Sequence, residues 1–368
     1  MSDALTVAVL GAGGIIAPAI VRDLAESQEV ASMLLLDLDG ARAAEVAARH
    51  GGGRASSQVL DAREGLAEAL ADCDVLVNSA SYRVNLDAMD ACLQAGCHYL
   101  DLGGLYRVTD KQLGLHDDFR RAGLTAVLGI GSAPGKTNLM ALKAVRRLGG
   151  EAQAVHVAAA GRDPEAPPGL SLPYALRTLI DELTLPPVVV RDGRPVEVEP
   201  LSEGGVFDYG EPIGEAQTIY TLHSEPRTFP ESFGCSDASF RLSLAPALLE
   251  RLRELVDASP EEVERAQATA QPASPKTYSV HVADATSADG RSVRVSCLTR
   301  PHENWRLGGG VVSTASPAAA TVRLLARGKI EARGALPPER CIEPDDMFPE
   351  LERRGCEFRV ETREAVST

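Results

Sequence analysis

The sequence predicts an α/β protein in which a doubly wound parallel sheet is followed by a second, α+β domain built on a largely antiparallel sheet. Strand-length apolar runs alternate with amphipathic helical stretches through the first 150 residues, and hairpin patterns replace them afterwards. A length of 368 residues also exceeds the usual size of one domain. We expect a first domain over residues 1–135, a second over 136–315, and residues 316–368 packing back on the first.

The first half repeats one strand–helix unit. Its apolar runs are short and continuous, as expected of parallel strands buried on both faces. The runs are Leu5 to Leu10, Met33 to Leu36, Gln58 to Leu60, Val75 to Val77, His98 to Leu100 and Ala126 to Leu128. The segments between them carry apolar residues at helical spacing, as in Leu86, Met89 and Leu93. This alternation of strand and helix segments predicts βαβ units.

Hairpins and capped helices characterise the second half. Strand-like stretches flank Asp192-Gly193, and the alternating segments Tyr278 to Val282 and Val293 to Cys297 flank a second Asp-Gly turn. Ser259 opens a Ser-Pro-Glu-Glu sequence, which is typical of a helix capping box. These patterns predict antiparallel pairs mixed with helices.

The composition excludes several classes of protein. Apolar residues make up 44% and charged residues 24%, and the formal net charge is −15. An acidic chain without a basic patch repels a phosphate backbone, so we expect no nucleic-acid partner. No apolar run approaches the roughly 20 residues of a membrane span, and no signal-peptide layout is present, so we expect a cytoplasmic protein without a membrane partner. Seven scattered cysteines and the absence of ligand spacing predict reduced thiols and no metal site.

A glycine-rich turn joins the first strand to the first helix. Gly11, Gly13, Gly14 and Ile15 follow that strand, and the exposed backbone N–H groups of such a turn attract a pyrophosphate at the helix N-terminus. We therefore expect a Rossmann-type dinucleotide-binding domain, although Ile16 replaces the third glycine or alanine of the fingerprint. A glycine turn without a ligand is the structural alternative.

An acid follows at the expected distance. The second strand ends at Asp37, 26 residues after Gly11. A carboxylate there accepts hydrogen bonds from the adenosine ribose and repels a 2′-phosphate, so NAD is favoured over NADP. Arg42 lies close in the sequence and softens that preference. The alternative is an ordinary surface aspartate.

Later strand ends are expected at the same crevice, because ligands bind beyond the carboxyl ends of parallel strands. This places Asp61 near the adenine. We expect Asn78, Ser79, Ala80 and Tyr82, which follow the fourth strand, beside the nicotinamide ribose. A plain polar loop is the alternative for Tyr82.

A second glycine segment, from Gly129 to Thr137, ends in Gly-Lys-Thr before a predicted helix and is similar to a nucleotide triphosphate loop. The spacing does not match that loop, because the position of its first glycine is occupied by Ile130. Kinase or ATPase chemistry is therefore not favoured. This helix N-terminus with Lys136 is a candidate for binding a substrate carboxylate. A solvated lysine is the alternative.

Four segments together resemble the saccharopine dehydrogenase-like family, which includes saccharopine reductase, carboxynorspermidine dehydrogenase and lysine 6-dehydrogenase. They are Val9 to Gly14, Ala91 to Asp101, Ala133 to Asn138, and Leu325 to Ile330 continuing to Pro337-Pro338-Glu339. The resemblance implies a Rossmann domain, a second domain that shapes the substrate site and often the dimer, and reversible hydride transfer at a carbon bearing nitrogen. It also implies a substrate-site role for Asn138, which ends a Pro-Gly-x-x-Asn motif.

Besides the hydride acceptor that the cofactor supplies, oxidation of a C–N bond needs a proton acceptor and charged groups that orient the substrate. Asp101, at the end of the fifth strand, is a candidate proton acceptor or ammonium partner, with a turn cap as its alternative. Arg241, His98 and His302 are weaker candidates, and a structural role is favoured for His98 on its buried strand.

A further candidate group is His223, Glu225 and Arg227. These residues alternate along a predicted strand and share one face if the chain stays extended. His223 suits proton relay, Glu225 suits an ammonium group, and Arg227 suits a carboxylate. A solvated strand face is the alternative.

These observations predict an NAD-dependent oxidoreductase that acts on an amino-acid C–N bond, with L-lysine or a related diamino acid as substrate, assembled as a homodimer or higher homo-oligomer. Lysine 6-dehydrogenases are similar through Ile180 to Leu183. An imine reductase that forms a saccharopine-like or carboxypolyamine adduct is the first alternative. A non-catalytic dinucleotide sensor that binds a protein partner is the second, although aromatic residues make up only 4% of the chain.

Overall fold

The computed structural model describes residues 4–167, 171–172, 174–256 and 258–364. The chain divides into two compact units. The first comprises Met1–Lys136 and Thr314–Leu351, and the second comprises Thr137–Ser313 and Glu352–Thr368. Each unit is therefore assembled from two separate stretches of sequence.

Eighteen strands and thirteen α-helices occur in the described residues. The strands are β1 (Leu5–Leu10), β2 (Val30–Asp37), β3 (Ala55–Val59), β4 (Val75–Asn78), β5 (His98–Asp101), β6 (Thr125–Val127), β7 (Ala154–Arg162), β8 (Ser171–Leu172), β9 (Val188–Arg191), β10 (Arg194–Glu197), β11 (Glu203–Asp208), β12 (Glu215–Tyr220), β13 (Asp237–Ser243), β14 (Gln271–Pro272), β15 (Tyr278–Thr286), β16 (Ser292–Thr299), β17 (Gly334–Leu336) and β18 (Cys356–Arg363). The helices are α1 (Ala17–Ala25), α2 (Gly40–His50), α3 (Leu66–Ala69), α4 (Asn85–Ala95), α5 (Leu105–Leu113), α6 (His116–Arg121), α7 (Lys136–Leu148), α8 (Leu176–Thr184), α9 (Glu225–Phe233), α10 (Pro246–Val256), α11 (Pro260–Thr269), α12 (Gly309–Ala326) and α13 (Pro344–Glu352).

The first unit is built on a seven-stranded parallel sheet with the order β3-β2-β1-β4-β5-β6-β17. The order of β1 to β6 is that of the doubly wound dinucleotide-binding fold. All six predicted strands are present within a few residues of the predicted positions. The central strand β1 is buried from Val7 to Leu10, as its continuous apolar sequence predicts. The α/β class and the doubly wound sheet are therefore confirmed.

The second unit is built on a nine-stranded sheet. Seven strands follow the order β10-β9-β13-β7-β15-β16-β18, and β12 links β11 to β13. All of its strand pairs are antiparallel except β13 with β7. Asp192 and Gly193 both have positive φ at the turn between β9 and β10, which is the conformation that a two-residue Asp-Gly hairpin favours. Both predicted hairpins are confirmed.

The end of the chain differs in part from the arrangement expected for residues 316–368. Thr314–Leu351 lie in the first unit, where β17 extends the parallel sheet beside β6. The following strand, β18, instead pairs antiparallel with β16 in the second unit. A strand needs a partner for its backbone N–H and C=O groups, and β16 supplies one along all eight residues of β18.

Within the described part of the chain, no helix has both the length and the apolar character that a bilayer crossing requires.

Candidate functional site

The carboxyl ends of the parallel strands form the candidate cofactor edge of the first unit. The turn after β1 requires glycine, because Gly11 has a φ of +76° and a Cβ there would lie 2.6 Å from the backbone nitrogen of Ala80. Gly11 therefore allows the loop after β1 to approach the loop after β4. A tight turn at the first glycine is what the dinucleotide-binding fingerprint requires.

The acid at the end of β2 is held against this turn. Asp37 Oδ2 accepts a hydrogen bond from the Gly13 N–H at 2.8 Å, and its Oδ1 accepts one from the Asp39 N–H at 2.8 Å. A Cβ on Gly13 would lie 3.0 Å from Cβ of Arg42 and 3.2 Å from Asp37 Oδ2. The turn thus places Gly13, Asp37 and Arg42 together, as the sequence spacing predicts.

The first helix begins beside the same turn. α1 starts at Ala17 with Pro18 in its first turn, where a missing N–H removes no helical hydrogen bond. N–H groups in the first turn of a helix lack intrahelical acceptors and attract anions. Gly14 and Ile15 are exposed just before this turn. Ile16, at the helix cap, provides no side-chain hydrogen bond to the first turn.

The loop after β4 contains a buried hydroxyl without a partner. Ser79 Oγ has no hydrogen-bond acceptor or donor within the described residues. Ala80 is packed against the glycine turn, and Tyr82 begins a short 3₁₀ helix with the Arg83 guanidinium over its ring. An unsatisfied buried hydroxyl costs free energy unless a ligand pairs with it. The glycine cradle, the oriented Asp37 carboxylate and this hydroxyl fit a dinucleotide.

Two other predicted cofactor residues occupy different positions. Asp61 lies two residues after the carboxyl end of β3, which is at the cofactor edge of the sheet. Its carboxylate accepts a hydrogen bond from the Arg63 N–H at 3.0 Å. Asn78 is buried and donates to Asn85 Oδ1 at 2.9 Å and to the Tyr99 hydroxyl at 3.2 Å. The Asn78 side chain therefore stabilises the loop after β4 through buried hydrogen bonds.

Asp101 is buried at the end of β5, and its carboxylate is surrounded by donors. Gln112 Nε2 donates to its Oδ2 at 2.6 Å, and the N–H groups of Gly103 and Gly129 donate to its Oδ1 at 2.8 and 2.7 Å. Asn85 Nδ2 also donates to Oδ2 at 3.2 Å. Burial raises the pKa of Asp101, and these hydrogen bonds oppose the rise. The geometry matches the turn-cap alternative for Asp101.

The glycine segment before α7 forms a tight loop. A Cβ on Gly135 would lie 2.4 Å from the Gly131 carbonyl oxygen, and the N–H of Lys136 donates to that oxygen at 2.9 Å. Lys136, the first residue of α7, is fully buried, and Asn138 is 1% exposed. The solvated-lysine alternative is therefore wrong, because Lys136 has no contact with solvent.

A buried imidazole between two carboxylates is the main cluster of the second unit. His223 Nδ1 lies 3.3 Å from Glu225 Oε2, and its Nε2 lies 3.8 Å from Glu182 Oε2. Thr137 Oγ1 donates to Glu225 Oε1 at 3.0 Å, and the Tyr174 hydroxyl donates to Glu182 Oε2 at 2.5 Å. α7, α8 and the start of α9 thus contribute to one polar cluster.

The electrostatics of this cluster favour a protonated histidine. Burial alone would lower the pKa of His223, but Glu225 and Glu182 together raise it to about 9. The imidazole also stacks on the Phe240 ring, with centroids 3.5 Å apart and planes 14° apart. Two carboxylates, Glu182 and Glu225, therefore face the one imidazole of His223.

The strand predicted through His223, Glu225 and Arg227 is wrong. β12 ends at Tyr220, and α9 begins at Glu225, with Pro226 in its first turn, where proline favours a helix start. His223 and Glu225 still meet across the turn, but Arg227 Nη1 donates to Glu231 one helical turn further on, at 2.8 Å. A helix separates side chains that an extended strand would align.

The other candidates are held by different partners. Arg241, on β13, donates to the Gly204 carbonyl at 3.1 Å and covers the Phe207 ring. His98 accepts a hydrogen bond from the Thr125 N–H at 3.0 Å and thereby links β5 to β6, which agrees with a structural role. His302 stacks on Trp305. In the described ranges, no group of three or more His, Cys, Asp or Glu side chains is placed to hold a metal ion.

Sequence reasoning did not identify Glu182 and Tyr174 as site residues. Glu182 lies on the buried face of α8 with Leu176, Leu179 and Leu183. An acid at an apolar position of a helix is a sequence signal for a buried polar contact, because such positions normally carry apolar side chains. No comparable pattern marks Tyr174.

Comparisons with known proteins agree with these features. Residues 7–127 match the family described as saccharopine dehydrogenase NADP binding domain. The chain is 27% identical over 263 residues to a carboxyaminopropylagmatine dehydrogenase from Synechocystis sp., covering 68% of this chain and 65% of that protein. It is 32% identical over 94 residues to a carboxynorspermidine synthase from Vibrio alginolyticus, covering 23% of each. The matches thus span less than two thirds of either relative.

One solved structure is similar over almost the full length. The apo saccharopine dehydrogenase (L-Glu forming) from Saccharomyces cerevisiae matches with a TM-score of 0.71 at 15% identity, covering 98% of this chain and 100% of that one. At this identity the similarity shows the fold. The family match and the shared fold confirm the resemblance to the saccharopine dehydrogenase-like family.

Proposed function

We propose that this saccharopine dehydrogenase-like protein is a nicotinamide-dependent oxidoreductase that acts on the C–N bond of a carboxylated polyamine or related diamino acid. The observation that carries the proposal is the buried cluster in which His223 lies between Glu182 and Glu225. Carboxylates such as Glu182 and Glu225 suit a substrate that bears ammonium or guanidinium groups. The names of the two similar proteins, which refer to carboxylated polyamines, support the same substrate class.

We propose NAD as the preferred cofactor. Asp37 presents a carboxylate beside the glycine turn, where it would pair with the ribose hydroxyls and repel a 2′-phosphate. The matched family is described as NADP binding, and Arg42 lies beside Gly13, so NADP is the competing cofactor in the test. Gly11, Gly13, Gly14 and Ile15 would hold the pyrophosphate, and Ser79 would meet the nicotinamide ribose. When bound, the cofactor exchanges a hydride with the substrate carbon.

The proposed roles of the chain's own residues follow from their contacts. Protonated His223 would hold a proton at Nε2 or Nδ1 for exchange with the substrate nitrogen, while Glu182 and Glu225 balance its charge. Asp101 is proposed as a positioning residue, because its carboxylate already receives several hydrogen bonds from its own unit. Lys136 and Asn138 remain proposed substrate residues at the start of α7.

A lysine 6-dehydrogenase activity is the second candidate. Glu182 belongs to the Ile180 to Leu183 segment that resembles those enzymes, and it is part of the buried cluster. L-Lysine carries two ammonium groups that the carboxylates of this cluster would also attract. The same assay therefore tests both substrates.

The test is nicotinamide absorbance in both directions with full-length protein. Oxidation assays would use carboxyaminopropylagmatine, carboxynorspermidine and L-lysine, each with NAD⁺ and NADP⁺. Reductive assays would use the matching amine and aldehyde with NADH or NADPH. Turnover with a carboxylated polyamine, reduced by about 10²-fold or more in His223→Gln, is the expected result.

A matched control is Arg251→Gln, which removes an exposed ion pair with Glu254 far along α10. It should retain full activity. Turnover with L-lysine alone would favour the second candidate. Binding of NADH without turnover on any of these substrates would contradict the proposal and support a dinucleotide sensor.

A further inference from the structure

The second sheet carries a buried polar group on β15, apart from the cluster that His223 forms with Glu182 and Glu225. Ser279 and His281 are two residues apart on β15, so their side chains point to the same face of the sheet. Each residue is only 5% exposed. Gly161 of β7 lies directly opposite Ser279 in the register. We call Ser279, His281 and Gly161 the β15 patch.

The hydroxyl of Ser279 lacks a hydrogen-bond partner. Its Oγ is buried and has neither a donor nor an acceptor within the described part of the chain. A buried hydroxyl is unfavourable unless it is paired, and most such groups in native proteins are paired. A polar ligand that reached Ser279 would therefore remove this penalty.

There is space for a ligand beside Ser279. Gly161 is exposed, and its φ is not positive, so its backbone would accept a side chain. A Cβ on Gly161 would point to the same face as the Ser279 side chain, because the two residues are partners in the register. Among the described residues outside its own chain neighbours, only the Tyr278 carbonyl oxygen would lie within 4 Å of that Cβ, at 3.8 Å. The missing side chain thus leaves this face open next to the unpaired hydroxyl.

The β15 patch lies on the same sheet face as the His223 cluster. Phe240 of β13 lies opposite Val157 of β7, which in turn lies opposite Ala283 of β15. Ala283 is two residues from His281, so Phe240 and His281 point to one face. The His223 imidazole stacks on the Phe240 ring. A ligand lying across this face could therefore contact both groups.

Strand geometry gives the distance between the two groups. His281 is two strands and two residues away from Phe240, which corresponds to roughly 12 Å between their Cα atoms. The short side chain of Ala159 lies opposite His281 on the intervening strand β7. L-Lysine has six bonds between its carboxyl carbon and its side-chain nitrogen and spans roughly 7 Å when extended. A carboxylated polyamine is longer, so the separation suits it better.

The two groups also differ in charge. The His223 cluster contains the carboxylates of Glu182 and Glu225. On the face of the β15 patch, the described residues of β7, β15, β16 and β18 include no acid. A serine O–H and an imidazole N–H both donate hydrogen bonds, and such bonds are stronger when the acceptor is an anion. The two groups therefore suit opposite ends of a substrate that carries both charges.

We propose that the β15 patch binds the carboxylate of the substrate, while Glu182 and Glu225 bind its ammonium groups. This inference rests on the proposed function and assigns the two ends of the substrate to two places on one sheet face. Ser279 and His281 donate to the carboxylate, and Gly161 leaves the room for it. Lys136 is the competing carboxylate partner.

The first experiment measures the coupling between Ser279 and the carboxylate. Full-length protein with NADH bound, which prevents turnover, is titrated in a calorimeter with carboxynorspermidine and with norspermidine, which lacks the carboxylate. Native protein should bind the carboxylated ligand about tenfold or more tightly than norspermidine. Ser279→Ala should lose most of this preference, with less than about a twofold change in its affinity for norspermidine. Ser296→Ala is the matched control on the opposite face of β16 and should keep the native preference.

The outcomes separate this inference from the proposed function. Failure of native protein to bind either polyamine, together with no turnover in the absorbance assays, would overturn the proposed function and the carboxylate assignment with it. An unchanged carboxylate preference in Ser279→Ala, with binding intact, would overturn the assignment alone. Loss of the preference in Lys136→Met but not in Ser279→Ala would also overturn it and would favour Lys136.

The second experiment fills the open space without removing a hydrogen bond. Gly161→Val should raise the KM for carboxynorspermidine by about tenfold or more, because its methyl groups occupy the position proposed for the carboxylate. Gly161→Ala adds a single methyl group and should have a smaller effect in the same direction. Circular dichroism and the melting temperature check that both variants are folded. Native KM values in two folded variants would contradict the proposed position of the carboxylate.

Discussion

Asp37 is the residue on which the proposed choice between NAD and NADP depends. Its carboxylate accepts N–H groups from Gly13 and Asp39, so the side chain is already oriented at the glycine turn. We predict that Asp37→Ser weakens NADH binding by about 2 to 4 kcal/mol, because two charge-assisted hydrogen bonds to the ribose are lost. The same variant should bind NADPH relatively better. Titration calorimetry with each dinucleotide measures both effects.

Two further variants separate charge from loop geometry. Asp37→Asn keeps an oxygen acceptor for the Gly13 N–H but removes the negative charge, so it should relax the discrimination against NADPH with less disturbance of the turn. Asp39→Ser removes a neighbouring carboxylate and keeps a side chain able to cap α2. Equal losses of NADH affinity in Asp37→Ser and Asp39→Ser would show that Asp37 has no special role.

His223 makes the stability of the protein depend on pH. Its pKa is about 9 in the folded protein against 6.5 for the free side chain. The stabilisation from the protonated form is therefore complete below about pH 6.5 and is lost as the pH rises through 9. We predict that the free energy of unfolding falls across this window by up to about 3 kcal/mol on account of His223. Urea denaturation at several pH values measures the slope.

His223→Gln is the control for this pH dependence, because it removes the titrating group. Its unfolding free energy should vary less with pH over the same window. The imidazole C–H resonance that disappears in this variant identifies His223 in NMR spectra. A titration midpoint of that resonance near 6.5 in the native protein would contradict the proposed pairing with Glu182 and Glu225.

Local residues of the site were easier to predict than distant ones. Gly11, Gly13 and Asp37 belong to one strand–turn–helix–strand unit, where sequence spacing determines spatial proximity. Glu182 meets His223 across 41 positions of the sequence, through the packing of α8 beside the loop before α9. No local pattern encodes that contact.

Helix α11 shows how one element depends on its first residues. Ser259 Oγ accepts the Glu262 N–H at 3.3 Å, and Glu262 Oε2 accepts the Ser259 N–H at 2.8 Å, which confirms the predicted capping box. Much of α11 is exposed, so tertiary packing supports it weakly. We predict that Ser259→Ala destabilises the helix by about 1 kcal/mol. Hydrogen exchange of the α11 amides should become faster in this variant.

Ser259→Asp tests whether the cap itself is responsible, because an aspartate accepts the same N–H group. Exchange rates in α11 should then stay near the native values. Faster exchange in both variants, or in neither, would contradict the capping role.

The same rules explain the one element that was wrongly predicted at the site. Alternation of apolar and polar residues predicted a continued strand through Arg227, but Pro226 lies in the first turn of a helix within that alternation. Three alternating residues are too few to distinguish a strand end from a capped helix. The proline at the helix start was the stronger signal at this position.

For the whole molecule, the parallel sheet was predictable because β1 to β6 alternate with helices in βαβ units, with β4 beside β1 where the strand order reverses. The seventh strand, β17, was not predicted. It joins β6 across more than 200 positions of sequence. β18 likewise reaches its partner β16 only after the chain has passed through α12, β17 and α13. Pairings of such high sequence separation depend on tertiary contacts that periodicity does not reveal.

A buried ionic network holds the distant segments of the first unit together. Arg323 on α12 donates to Asp23 on α1 at 2.8 Å and to Glu350 on α13 at 2.7 Å, and none of the three side chains is more than 6% exposed. Removing the Arg323 guanidinium leaves the buried carboxylates of Asp23 and Glu350 with less positive charge to compensate them. We predict that Arg323→Met lowers the free energy of unfolding by about 3 to 5 kcal/mol.

The exposed pair of Arg251 with Glu254 provides the control, because Arg251→Met should lower the free energy of unfolding by about 1 kcal/mol or less. Chemical denaturation of both variants compares the costs, and equal values would mean that the buried network does not stabilise the unit more than a surface ion pair.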